Sequence, residues 1–183
     1  MKHLWVDIET TGLDPRTGRI LELALVVTEH DEHGISQPIG KFERLIHCHK
    51  DTFLLLCNEK VQDMHVASGL AELCWHSSKG RGSVCAFADA REWLNNNAPR
   101  TPGPMCGSNP DFERRWFREH APELLGYWSH RNIDLNSCRF LFQEPKDSKP
   151  HPHRALPDLM RDIANFNNYE RFIQEARCKD LRL

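Results

Sequence analysis

The sequence predicts an α/β fold: a mixed five-stranded sheet, in which an antiparallel three-strand meander is extended by parallel strands, flanked by helices. Three observations predict it. Three strand-like segments come first, separated only by short polar turns, which is the order of a meander. Short apolar runs then alternate with helical patterns, which is how parallel strands are added to a sheet. The 183 residues, 39% hydrophobic and 27% charged, suit one globular domain spanning 1–183, whose core needs no disulfide or metal staples.

Residues 3–8 read as a strand, at whose end Asp7 and Glu9 alternate with apolar residues, and Gly12 and Pro15 break the chain after it. Residues 20–28 form a longer aliphatic run, a buried strand that pairs with the first. Asp31 to Gly34 reads as a turn and Ile35 to Ile46 as a third strand. From Asp51 to Leu73 the apolar spacing becomes helical, with a break at Ser68-Gly69 that suggests two short helices. Trp75 to Gly82 is a basic loop. Ser83 is placed to cap a helix that ends at Asn95-Asn96-Asn97 and Pro99. Met105 to Gly107 is a short strand, Asn109-Pro110 opens a helix from Asp111 to His120, and Pro122 starts a further helical turn to Trp128. Arg131 to Leu135 reads as the last strand and Asn136 as the cap of a helix to Phe142. Glu144 to Pro152 is an aperiodic loop, a candidate mobile lid. From His153 onward, Leu159, Ile163, Phe166, Tyr169 and Phe172 mark one or two packed helices. This order is that of the ribonuclease-H-like fold.

Composition narrows the function. The formal net charge of −2 excludes a broad basic field for long duplexes, so any nucleic-acid substrate is expected to be short or single-stranded. No apolar run approaches the roughly 20 residues of a membrane span, and the start carries no signal-peptide pattern, so no membrane association and no export are expected. Seven scattered cysteines without a Cys-x-x-Cys pair fit reduced thiols and a cytoplasmic location. None of the eleven histidines has the His-Glu-x-x-His spacing of a zinc protease.

The chemistry is carried by acids. Asp7 and Glu9, two apart on a strand, share a face, and carboxylates held that close repel unless a cation lies between them. A plain exposed strand edge would carry the same pair. Two more acidic stations, Asp111-Phe112-Glu113 at a helix start and His153-x-x-x-x-Asp158 at another, can join them. Together such residues can hold two divalent ions, one generating a hydroxide and the other stabilising the leaving oxygen of a phosphodiester.

The chain resembles the 3′-to-5′ exonucleases that use four acidic residues and one histidine, and among them the oligoribonucleases. Trp5-Val6-Asp7-Ile8-Glu9-Thr10-Thr11-Gly12-Leu13-Asp14-Pro15, followed by Arg19-Ile20-Leu21-Glu22-Leu23-Ala24, is similar to the first motif. His65-Val66-Ala67-Ser68-Gly69-Leu70, then Pro122-Glu123-Leu124, His130-Arg131-Asn132-Ile133-Asp134 and His153-Arg154-Ala155-Leu156 with Asp158 continue the likeness in order. The resemblance implies that Asp7, Glu9, Glu113 and Asp158 hold two Mg²⁺ or Mn²⁺ ions. It makes His153 the general base, a role histidine fills near neutral pH. It implies that Leu13 wedges against a terminal base, and that Arg131, Ser108, Asn109, Thr10 and His65 contact substrate. The substrate it implies is a short single-stranded RNA, with DNA the alternative, and the assembly a homodimer. The chain departs from the family at Glu113, where an aspartate is usual and Asp111 is the rival. It departs also at Gly107-Ser108-Asn109 in place of Gly-Asn-Ser, at His130 in place of a tyrosine, and at Lys60 near an expected tryptophan. A DNA-preferring proofreading exonuclease and an inactive binding module are the other readings.

Overall fold

Strand β1 (Lys2–Thr10) sends Leu4, Val6 and Ile8 into one core and Trp5 into another on the opposite face. By the two-residue period Asp7 and Glu9 share the face of Trp5. The structure is a computed structural model and describes residues 1–31, 35–76, 81–143 and 152–180, the last three of these as backbone only. β2 (Ile20–His30) and β3 (Ser36–Leu45) complete an antiparallel meander, whose register sets Asp7 opposite Ala24 and Glu9 opposite Glu22.

Between the meander and the parallel strands lie α1 (Lys50–Leu56), α2 (Glu59–Ala67), α3 (Leu70–Trp75) and α4 (Ser83–Asn97). β4 (Gly103–Gly107) then runs parallel to β1. Helix α5 (Pro110–His120) and a 3₁₀ helix (Pro122–Tyr127) lead to β5 (Trp128–Asp134), parallel to β4, so the sheet order is β3-β2-β1-β4-β5. α6 (Leu135–Leu141) and the long α7 (Ala155–Asp180) close the chain.

The sheet separates two cores. On one face Leu23, Leu25 and Val27 meet Phe87 and Leu94 of α4, Trp116 and Phe117 of α5, and Leu124. On the other, Trp5, Ala24 and Val26 meet Leu135 of α6 and Leu159 and Ile163 of α7. The indole of Trp5, fully buried, donates to Thr28 Oγ1 at 2.9 Å, so its one polar atom is satisfied inside the core. α1 to α3 bury Phe53, Leu70 and Cys74 in a satellite cluster around Leu21. No helix among the described residues is long and apolar enough to cross a membrane.

Several local expectations are corrected. The segment from 51 to 73 makes three helices, because Asn58 caps a new one by accepting from Val61 N at 3.0 Å, a stop the apolar spacing does not reveal. Ser83 is the first helical residue of α4 and Gly82 the cap. Asn95 to Asn97 lie inside that helix, where Asn96 and Asn97 bond back to Glu92 and Trp93 carbonyls, and Pro99 follows its end. Asp134, not Asn136, caps α6 by accepting from Asn136 N at 3.0 Å. β5 begins at Trp128, three residues before Arg131, and the last helical region is one continuous helix. The expected turn at 31–34 and loops at 75–82 and 144–152 fall largely outside the described residues.

Candidate active site

The site lies where the C-terminal ends of β1 and β4 meet the starts of α5 and α7. Asp7 and Glu9 come from β1, Glu113 from the first turn of α5 and Asp158 from the first turn of α7. β1 and β4 approach so closely here that a Cβ on Gly107 would lie 2.7 Å from the Val6 carbonyl oxygen. Just beyond, Asn109 takes a left-handed turn (φ 66°) and its N–H donates to Asp134 Oδ1 at 3.0 Å. That turn starts α5 in the direction that carries Glu113 inward.

Glu113 is 3% exposed and its Oε2 has no hydrogen-bond partner among the described residues. Asp111 points outward, paired with Arg115 at 3.3 Å. Of the two rivals, only Glu113 is brought to the cluster.

Asp7, Glu9 and Glu113 are held in a field that favours their neutral form. Burial raises the Asp7 carboxyl well above the usual range, with Glu113, Glu9, Asp162 and Asp158 adding to it. Burial likewise raises Glu113, helped by Asp162 and Asp134. Glu9 is pushed up to about 8 by burial, then by Asp158 and Glu22, against the opposing charge of Arg154. One ligand atom from each of Glu9, His153 and Asp158 lies within 4.8 Å of the others. An unpartnered buried carboxylate oxygen and an oxygen-rich donor set suit hard divalent cations, so the residues present fit the metal ions expected of this site.

The remaining expected residues are distributed around this centre. Leu13 is 80% exposed on a loop held by Thr10 Oγ1 donating to Gly12 O and by the His120 ring bonded to Pro15 O. Ser108, on the turn after β4, accepts from Arg139 Nη1 at 3.4 Å, and exposed Asn109 follows it. Arg131 is exposed on β5, the edge strand. His65 is fully buried behind β1, its Nε2 bonded to Thr10 O at 2.9 Å. It supports the end of the strand from behind.

Three residues of the site were not foreseen. Asp162, one turn after Asp158 and 4% exposed, pairs with Arg139 at 2.9 Å and is hydrogen-bonded with Ser108. Its i+4 spacing from Asp158 was the signal. Buried Glu22 pairs with half-buried Arg154, and the signal was a lone charge within an aliphatic strand.

The profile of the family described as "Exonuclease" matches residues 4–76. An oligoribonuclease of Shewanella amazonensis is 32% identical over 173 residues, covering 91% of this chain and 92% of its own. One from Vibrio campbellii is 30% identical over 177 residues, covering 93% and 94%. In fold the chain is similar to E. coli exonuclease I in complex with a dT13 oligonucleotide (TM-score 0.65, 17% identity, 98% of this chain). It is similar also to exonuclease I from Methylocaldum szegediense (TM-score 0.63, 19% identity, 91% of this chain). The chain spans 43% and 39% of those two larger proteins. The fold is ribonuclease-H-like, and the oligoribonuclease relatives make its class that of the 3′-to-5′ exonucleases. The chain belongs to that exonuclease family as an oligoribonuclease-like member.

Proposed function

We propose that the protein hydrolyses short single-stranded RNA from the 3′ end to nucleoside 5′-monophosphates. One observation carries the reading: the buried, unpartnered Glu113 oxygen sits in a field of acids at the same strand end as the Glu9, His153 and Asp158 cluster. Asp7, Glu9, Glu113 and Asp158 would hold two divalent cations, Mg²⁺ or Mn²⁺. When bound, such ions lower the pKa of an attacking water and stabilise charge on the leaving oxygen. His153 accepts the proton of that water on an imidazole nitrogen. Leu13 packs against the terminal base, and Ser108, Asn109 and Arg131 contact phosphate, with Thr10 and His65 fixing the strand end. The scattered cysteines support a cytoplasmic location. Apolar side chains exposed on α6 and α7, Phe140 (84%), Leu141 (74%) and Phe172 (59%), support a homodimer.

The test compares turnover of 5′-phosphorylated RNA and DNA of two and seven nucleotides, with Mg²⁺, with Mn²⁺ and with chelator. The expected result is metal-dependent release of nucleoside 5′-monophosphates, with the RNA dinucleotide giving the highest kcat/KM. Faster cleavage of DNA would overturn the ribonuclease assignment, and full turnover in chelator the two-metal assignment.

A further inference from the structure

Glu22 stands near the start of β2 between Leu21 and Leu23, is 0% exposed, and lies directly opposite Glu9. A carboxylate in such a place requires donors that saturate it. Among the described residues, its donors come from one short segment. Arg154 Nε lies 3.1 Å from both oxygens, Arg154 Nη2 lies 2.6 Å from Oε1, and the Ala155 N–H donates to Oε2 at 2.8 Å. The Arg154 N–H also donates to Asp158 Oδ2 at 3.3 Å, so the segment is tied to the sheet and to the first turn of α7 together.

His153 immediately precedes these anchors and has φ 48°, a region that non-glycine residues enter only when their surroundings hold them there. One end of the clamp is therefore the strand registered against Glu9, and the other is the residue next to the histidine. We propose that the Glu22–Arg154 pair is a positioning device that fixes the backbone of His153 against Glu9, so that the imidazole meets the attacking water in the orientation for proton transfer. Neither residue touches substrate; both act through His153. The inference rests on the nuclease reading above.

A plain staple between α7 and the sheet would have different kinetics. The test measures kcat and KM on a 5′-phosphorylated RNA dinucleotide with Mn²⁺, Mn²⁺ affinity by calorimetry, and folding by circular dichroism. Arg154→Met removes the guanidinium, and Glu22→Gln combined with Arg154→Met also removes the buried charge, so a folded variant remains available if the single change unfolds. Both should lower kcat by about tenfold or more, with KM and Mn²⁺ affinity within about threefold of wild type. Arg154→Lys should recover much of the loss. In a His153→Ala background Arg154→Met should change kcat by less than about twofold, because residues acting through one group are not additive.

The proposal is overturned if the double variant keeps its kcat, if the loss adds to that of His153→Ala, or if Mn²⁺ affinity falls in step with kcat. A wild-type protein that fails to cleave any oligonucleotide overturns the nuclease reading and this inference with it. A wild type that cleaves while the clamp variants match it overturns this inference alone.

Discussion

A glutamate at position 113 carries its carboxylate one methylene further from the backbone than an aspartate would, and the turn at Asn109 sets how far that reach extends into the acidic cluster. Glu113→Ala is expected to lower kcat/KM by about a hundredfold or more, about 2.7 kcal/mol of barrier. Asp111→Ala, at an exposed site, should change it by less than about threefold, its loss being a charge near the helix start. Steady-state kinetics on an RNA dinucleotide checks both. Glu9 supplies a second prediction. Its carboxyl titrates near 4.5 when unfolded and about 8 when folded, so the metal-free native state holds a proton that the unfolded state has released. Stability from this group is present below pH 4.5 and is lost as pH rises toward 8. The buried His3, lowered to about 4, acts oppositely, but its contribution is complete once pH exceeds 6.5. In chelator, the melting temperature should therefore fall between pH 6.5 and 8. Glu9→Gln should flatten the fall, and thermal melts across that range check it. Asp7 and Glu9 could be read from the strand period, whereas Glu113 and Asp158 came from the motifs of the resemblance. Asp162 and Glu22 left only weak signals, a helical spacing and a lone charge in an aliphatic strand, because the arginines that make a buried acid recognisable lie 23 and 132 residues away in sequence.

At the scale of the elements, the junction of β1 and β4 is the tightest part of the site. A methyl group on Gly107 would need the Val6 carbonyl, 2.7 Å from its ideal position, to move, and Val6 adjoins Asp7. Gly107→Ala should therefore destabilise the fold by about 1–3 kcal/mol and lower kcat at temperatures where the variant is still folded. Denaturant unfolding together with kinetics checks this. The order of strands and helices was readable from apolar spacing, whereas the caps were not. Ser83, Asn136 and the asparagine triplet all have capping side chains, but Gly82 and Asp134 take the cap positions. Asp134 wins because it also receives the Asn109 N–H and the Ser137 hydroxyl, a choice made by two elements jointly. Local composition cannot express such a choice.

At the scale of the molecule, the mixed sheet follows from the sequence because three consecutive strands with short turns can form only local pairs, and the later strands return through helices. How the surface is used was less legible. Phe140, Leu141 and Phe172 sit in helical patterns indistinguishable from core-facing ones, yet the structure leaves them exposed. If they form the homodimer interface, Phe140→Ser combined with Phe172→Ser should convert a dimer to a monomer in sedimentation analysis. The variant chains should keep their helical content.

The tie between Glu22 and Arg154 spans 132 residues. Strands β1 and β2 are synthesised well before α7, carrying Asp7, Glu9 and Glu22, whereas His153 comes just before α7 and Asp158 in its first turn. A chain still being translated thus holds these acids without His153 and without the counter-charge of Arg154. On the proposed reading, the site is complete only once α7 has docked on the sheet, so the parts of the catalytic centre fold together late rather than one by one.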